Sequence, residues 1–181
     1  MLTNLRVFPT PETRLFKILN DAEFRRVFLT NLKTYNPLIV ALYRSGILPL
    51  FGFSRTILLL TTTGRKSGKL RATPIGYFRI GGIIHLFSAW GKEAGWYKNM
   101  VANPGNVHIQ IGLRRWPVHA QILIEPDEKQ HTIGQLVIES PYQAQALFGW
   151  QPDRDQIDDA DFSAVLEKVL IVRFVNKPSC I

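Results

Sequence analysis

Cysteine is almost absent from this chain: Cys180 stands alone among 181 residues. One thiol closes no internal disulfide and builds no cysteine-ligated zinc centre, which points to a reducing, cytoplasmic setting. Acidic residues are scarce at the front, where residues 1–71 hold 3 Asp and Glu against 12 Lys and Arg. Long apolar runs are missing too. Arg44, Pro49 and Arg55 interrupt the stretch from Pro37 to Leu60, so no run of about 20 apolar residues is left to span a bilayer. Arg6, Pro9 and Pro11 break the first apolar run, which does not read as a signal peptide. Metal-ligand spacing is absent as well: His85, His108, His119 and His131 are each isolated. The acidic run from Asp153 to Asp161 lacks the glycine and closing glutamate of a calcium loop, and no metal site is expected. There is no nucleophile elbow, P-loop, dinucleotide fingerprint or recognised nucleic-acid motif. An enzyme built on this chain has to take its chemistry from a cofactor.

What is present is a core-forming composition, 46% hydrophobic, with an uneven charge of +8. Residues 72–120 carry 5 Lys and Arg against 1 acidic residue, and residues 121–181 carry 5 against 10. The cation excess lies in the front of the chain, where an anionic partner would be met. Nucleic acid, anionic lipid and a phosphorylated ligand all satisfy that charge.

Residues 12–35 read as an amphipathic helix, with Leu15, Ile18, Leu19, Val27, Phe28 and Leu32 at three- and four-residue spacing and cations between them. Asn36-Pro37 is expected to end it, with a second short helix from Pro37 to Tyr43. A basic helix of this kind either packs on a domain or lies on a membrane. From Thr56 the period changes to that of strands: Ile57–Thr63, then Thr73–Ile80, a Gly81-Gly82 hairpin turn, and Ile83–Ser88. A helix over Glu93–Ala102, strands at 107–111 and 118–124, a helix over Asp127–Ile138, a polar and aromatic excursion from Tyr142 to Asp161, and a strand at Val169–Val175 complete the reading. Six short strands joined mostly as hairpins, with helices in front and behind, predict an α+β protein built on a six-stranded antiparallel barrel. Residues 1–55 form a helical extension to a barrel domain at 56–181.

Two segments carry chemical meaning. Thr61 to Arg71 (TTTGRKSGKLR) is a glycine-flanked turn with four cations in seven residues. Glycines let successive backbone N–H groups converge, and Arg65, Lys66 and Ser67 add donors suited to a phosphate. A plain basic hairpin has the same composition. Gly95 to Pro104 (GWYKNMVANP) places Trp96 and Tyr97 on different sides of a helix, one able to pack inward while the other faces a groove.

With these residues in this order, the chain resembles the deazaflavin-dependent nitroreductase family of split β-barrel oxidoreductases. The likeness rests on Leu58–Gly68, Arg71–Tyr77, Trp96–Pro104 and Val107–Ile111, and covers residues 36–125. It implies coenzyme F420, an 8-hydroxy-5-deazaflavin with an anionic phosphate and oligoglutamate tail, with FMN or haem as the alternatives used by related barrels. It also implies Gly64, Arg65, Lys66 and Ser67 at the phosphate, Arg71, Pro74 and Tyr77 along the cofactor, Ser88 and Ala89 at the ring, and Trp96 and Asn99 on the neighbouring helix. Tyr142 resembles the family's substrate-side tyrosine, and Ser88 or Tyr142 is the expected proton donor. The loop from Ala89 to Gly95 departs from the nitroreductase branch: Trp90 falls where a lysine is usual, placed to stack on the cofactor or close the substrate mouth, with Lys92 to supply the charge. The expected activity is hydride transfer from the reduced deazaflavin to a small electron-poor acceptor such as a quinone, enone or nitroaromatic. A non-enzymatic basic module binding nucleic acid or membrane is the rival. For the enzyme, a monomer or homodimer without nucleic acid is expected, cytoplasmic or peripheral on the inner membrane face through residues 12–35.

Overall fold

The computed structural model describes residues 5–176; Cys180 lies outside them. The chain opens with a two-residue strand β1 (Arg6–Val7), then helices α1 (Arg14–Asn20), α2 (Ala22–Arg44) and α3 (Ile47–Leu50). The barrel follows with β2 (Ile57–Thr63), β3 (Leu70–Gly76), β4 (Phe78–Ile80), β5 (Ile83–Ser88), α4 (Gly95–Ala102), β6 (His108–Ile111) and β7 (Arg114–Leu123). Helices α5 (Pro126–Glu139) and α6 (Pro141–Phe148), strand β8 (Ala160–Asp161), α7 (Ser163–Lys168) and β9 (Leu170–Asn176) complete it.

Seven strands form one antiparallel sheet in the order β3-β2-β6-β7-β9-β5-β4. Its two edge strands, β3 and β4, are consecutive in the chain and separated by Tyr77 alone. A sheet whose edges are joined by one residue has to curl on itself, which gives the split, antiparallel barrel. The sequence reading ran Thr73–Ile80 as one strand and counted six. The structure divides it because Leu58 to Thr63 pair with the residues before Tyr77, whereas His85, Ile84 and Ile83 pair with those after it. The Gly81-Gly82 turn forms as read, both glycines at positive φ (56° and 76°) between the paired Ile80 and Ile83.

Alternation along the strands sorts the core in two. Leu170, Val172 and Phe174 of β9 point into the barrel with Leu58, Leu60 and Ile109, and Ile171 points out beneath the helices. That outer core holds Leu136 of α5, Phe148 of α6 and, from the front of the chain, Phe8, Leu15 and Leu19. The region read as an excursion from Tyr142 to Asp161 contains α6, whose Ala144 and Phe148 bury one apolar stripe.

The front helices also differ from the reading. The break falls at Asn20-Asp21, and α2 runs through Pro37 to Arg44. Asp21 starts α2 by accepting a hydrogen bond from the Phe24 N–H at 2.8 Å. Pro37 leaves one backbone carbonyl without its helical donor, a cost of about 3 kcal/mol in an isolated helix. Packing of α2 against β3 and α1 offsets it.

Candidate functional site

The turn between β2 and β3 is closed by its own backbone. The Gly64 N–H donates to the Lys69 carbonyl at 2.9 Å, and the Gly68 N–H to the Gly64 carbonyl at 2.8 Å. A Cβ at Gly64 would stand 2.8 Å from Ser67 Oγ, 3.0 Å from Arg71 Nε and 3.2 Å from the Lys69 carbonyl oxygen, so any other residue would push these groups from their places in the turn. Helix α4 fixes the turn from outside. Asn99 Oδ1 accepts from the Arg65 backbone N–H at 3.2 Å and from Arg65 Nη1 at 3.4 Å. One helical turn on, Asn103 donates to the Thr63 carbonyl at 3.3 Å. The two recognisable segments are therefore one structure, with asparagines four residues apart holding the basic turn.

That turn forms one end of a cavity of about 1100 Å³. Gly64, Arg65, Lys66, Ser67 and Arg71 line the basic end, and Pro74 and Tyr77 continue along β3. Ser88, Ala89 and Trp90 at the end of β5 line it too, as do Trp96 and Asn99 of α4. All twelve residues expected around the cofactor thus face one space. Among the described residues, the cations Arg14, Lys33, Arg65, Lys66 and Arg71 share it with a single carboxylate, Glu93. That carboxylate is engaged by Lys98, which holds its pKa below the ordinary value. The lining therefore carries a positive field that a phosphate would satisfy.

Several side chains have defined duties. Ser88 is 4% exposed, and its Oγ has no hydrogen-bond partner among the described residues. A buried hydroxyl in that state is free to donate to something in the cavity. Tyr77 spends its hydroxyl on the Ser54 carbonyl at 2.8 Å and offers only its ring. Trp96 lines the cavity while Tyr97 packs edge-on to it at 6.3 Å.

The structure does not bring Tyr142 to this cavity. It begins α6 with 86% of its surface exposed, and its neighbour Gln143, about 100° further around the helix, faces the space instead. Lys92 also lies off the cavity, close enough to Lys129 to depress that amine's pKa, whose main cause is burial. The loop therefore adds Trp90 to the lining and leaves the lysine elsewhere.

What the sequence reading missed is the roof. Leu15 and Ile18 of α1, and Phe28, Leu32 and Asn36 of α2, line the same cavity. Phe28, Leu32 and Asn36 fall at four-residue spacing, a stripe the helical period could have exposed. Phe28 stacks on Trp90 with centroids 6.2 Å apart, and Arg25 covers Trp90 at 6.0 Å. Arg25 also donates to the carbonyls of Ile18 and Leu19 at 2.9 and 3.1 Å, tying the end of α1 to α2. Of the apolar residues read over 12–35, Leu15, Ile18, Leu19, Phe28 and Leu32 turn to the barrel and the cavity, and Val27 is half exposed.

A family model described as F420H(2)-dependent quinone reductase matches residues 49–147. An F420H(2)-dependent quinone reductase of Mycobacterium tuberculosis is 35% identical over 86 residues, 46% of this chain and 57% of the relative. A putative F420H(2)-dependent quinone reductase of Mycobacterium bovis aligns with the same figures. The chain thus spans about half the length of the curated relatives it matches. Among solved structures, an F420-H2 dependent reductase is 27% identical with a TM-score of 0.44, covering 67% of this chain and 95% of that one.

Proposed function

The chain belongs to the F420H(2)-dependent quinone reductase family, and from that premise we propose that it binds the reduced deazaflavin coenzyme in the large cavity and reduces a quinone there. The observation that carries this reading is the cavity's polarity: a closed basic turn at one end, and an aromatic and aliphatic chamber with one unpartnered buried hydroxyl at the other. The donor set fits the coenzyme. Arg65, Lys66, Ser67 and Arg71 would hold the phosphate and acidic tail, and Pro74, Tyr77, Ala89 and Trp96 would flank the ring. When bound, the reduced coenzyme supplies the hydride.

The protein's part is positioning and solvent exclusion. Trp90, pinned by Phe28 and Arg25, closes the side of the chamber beneath the helical roof and leaves an apolar space suited to a flat, electron-poor acceptor. Ser88 Oγ donates a hydrogen bond to the acceptor oxygen on which negative charge develops, which is where such a donor contributes most.

Replacing Arg65 and Lys66 together by Ala is expected to weaken coenzyme binding by about tenfold or more, because each charge-assisted hydrogen bond is worth about 1.5–3 kcal/mol. Fluorescence titration of the purified protein with the deazaflavin, and with FMN and haem as parallel ligands, measures this. Unchanged deazaflavin affinity in the double variant, or tighter binding of FMN or haem by the native chain, would overturn the reading.

Peripheral contact with a membrane, the source of lipid-soluble quinones, belongs to the same proposal through a surface other than α1 and α2. No helix among the described residues is long and apolar enough to cross a membrane. Around α3, Leu50 is 84% and Phe51 75% exposed, beside the exposed Ile47 and Phe53 and between Arg44 and Arg55. No Asp or Glu occurs between Glu23 and Glu93. Apolar side chains ringed by cations suit an anionic bilayer surface. The protein is expected to float with vesicles containing anionic lipid and to lose flotation when Leu50 and Phe51 become Ser. Flotation that is equal in the variant, or absent in the native protein, would reject this contact.

A further inference from the structure

A second cavity, of about 600 Å³, opens at the other end of the barrel. The register places it there: Leu59 pairs with Gln110 and Ile111 with Arg114, so the β6–β7 hairpin lies beyond the start of β2, away from the Gly64–Lys69 turn. Its floor is the barrel interior itself, Ile84, Ile109, Val118 and Phe174, and Trp116 forms one wall. Among the described residues, two charged side chains line it, Arg79 of β4 and Arg114 of β7. They lie 35 positions apart in sequence and reach one opening because closure of the sheet brings the β4–β5 and β6–β7 hairpins to the same end.

Neither arginine takes part in an ion pair among the described residues. Arg79 is exposed, and its guanidinium carbon stands 5.8 Å from the centroid of the Tyr77 ring, a contact that favours one direction for its head. An apolar floor with two guanidinium groups and no carboxylate among the described residues is complementary to an apolar body ending in an anion. The planar guanidinium fork matches a carboxylate in particular.

We propose that this cavity is a binding site for an amphipathic monocarboxylate, a medium-chain or aromatic acid. Its apolar body rests on Ile109, Val118 and Phe174, and its carboxylate lies between Arg79 and Arg114. The site is distinct from the coenzyme cavity and does not depend on the assignment of that cavity.

Decanoate below its micellar concentration is the probe, with decanol as its uncharged counterpart, titrated into the full chain by calorimetry. One saturable site for decanoate is expected, with decanol at least about tenfold weaker, the worth of one charge-assisted hydrogen bond. Arg79→Gln with Arg114→Gln should lose a similar factor, and Arg65→Ala with Lys66→Ala should leave the affinity unchanged. Nuclear magnetic resonance of the native chain gives an answer that no variant's folding can confuse: decanoate should shift the Trp116 indole and the Val118 and Ile109 methyl signals. Equal affinity for decanol, no saturable site, loss of binding in the Arg65/Lys66 variant, or shifts confined to Ser88 and Trp90 would each overturn the proposal. The last two would assign the acid to the larger cavity.

Discussion

At the residue scale, the side chains that shape the large cavity are often ones without chemistry of their own. Asn99 and Asn103 are committed to the backbone of the basic turn, so they set where its donors point. His85 is a different case, a titratable group buried on the outer face of β5 with Nδ1 3.1 Å from the Ile83 carbonyl. Burial pushes its pKa below the ordinary value of about 6.5, and nearby Arg173 pushes the same way. The Ile83 hydrogen bond, Glu139 and Glu128 oppose this without reversing it. The unfolded chain therefore takes up a proton at higher pH than the folded one. This contribution to stability is present above about pH 6.5 and is lost as pH falls toward the depressed folded value. Thermal melts from pH 7.5 to 5 should show Tm falling with pH, and His85→Gln should flatten part of that fall. An identical slope in the variant would show that other groups carry it.

At the scale of elements, local signals specified most of the strands, but the helix boundary expected at Asn36-Pro37 was not the one that formed. The break falls at Asn20-Asp21, within what reads as one helix over 12–35, and a capping side chain accounts for it. Asp21 satisfies an otherwise unpaired N–H at the start of α2, whereas the bond lost at Pro37 lies mid-helix in an element supported by β3. Asp21→Ala should cost about 1 kcal/mol, lowering Tm by about 2–4 °C in a chain of this size. Calorimetry checks this, and an unchanged Tm would mean that the start of α2 is held by its packing. The split at Tyr77 was not legible for another reason. Nothing in TPIGYFRI announces that its two halves become the opposite edge strands of one sheet, because pairing partners are nonlocal.

At the scale of the molecule, the front of the chain is fastened to its far end. Strand β1 pairs in parallel with β8, the Phe8 N–H donates to the Asp161 carbonyl at 2.8 Å, and Arg6 pairs with the buried Asp155. Phe8 is fully buried, 5.1 Å from the Phe162 ring and 5.3 Å from Trp150. Its truncation to Ala removes the centre of an aromatic cluster and should destabilise the fold by about 3–5 kcal/mol, read from the urea midpoint. A loss below about 1 kcal/mol, the range of ordinary surface changes, would mean that the 5–10 segment is peripheral to the core.

The sequence by itself determined most of the barrel strands, their antiparallel arrangement and the residues of the basic turn, because period, glycine placement and charge are local properties. It also carried twelve of the residues that line the large cavity, through motifs whose order and spacing resemble a known family. Only the tertiary structure decided that α1 and α2 roof that cavity, that Tyr142 stands outside it, and that Arg79 and Arg114 share a second opening. Each of these depends on how the sheet closes at Tyr77 and which way a helix face turns, and both are settled by contacts between residues far apart in the chain.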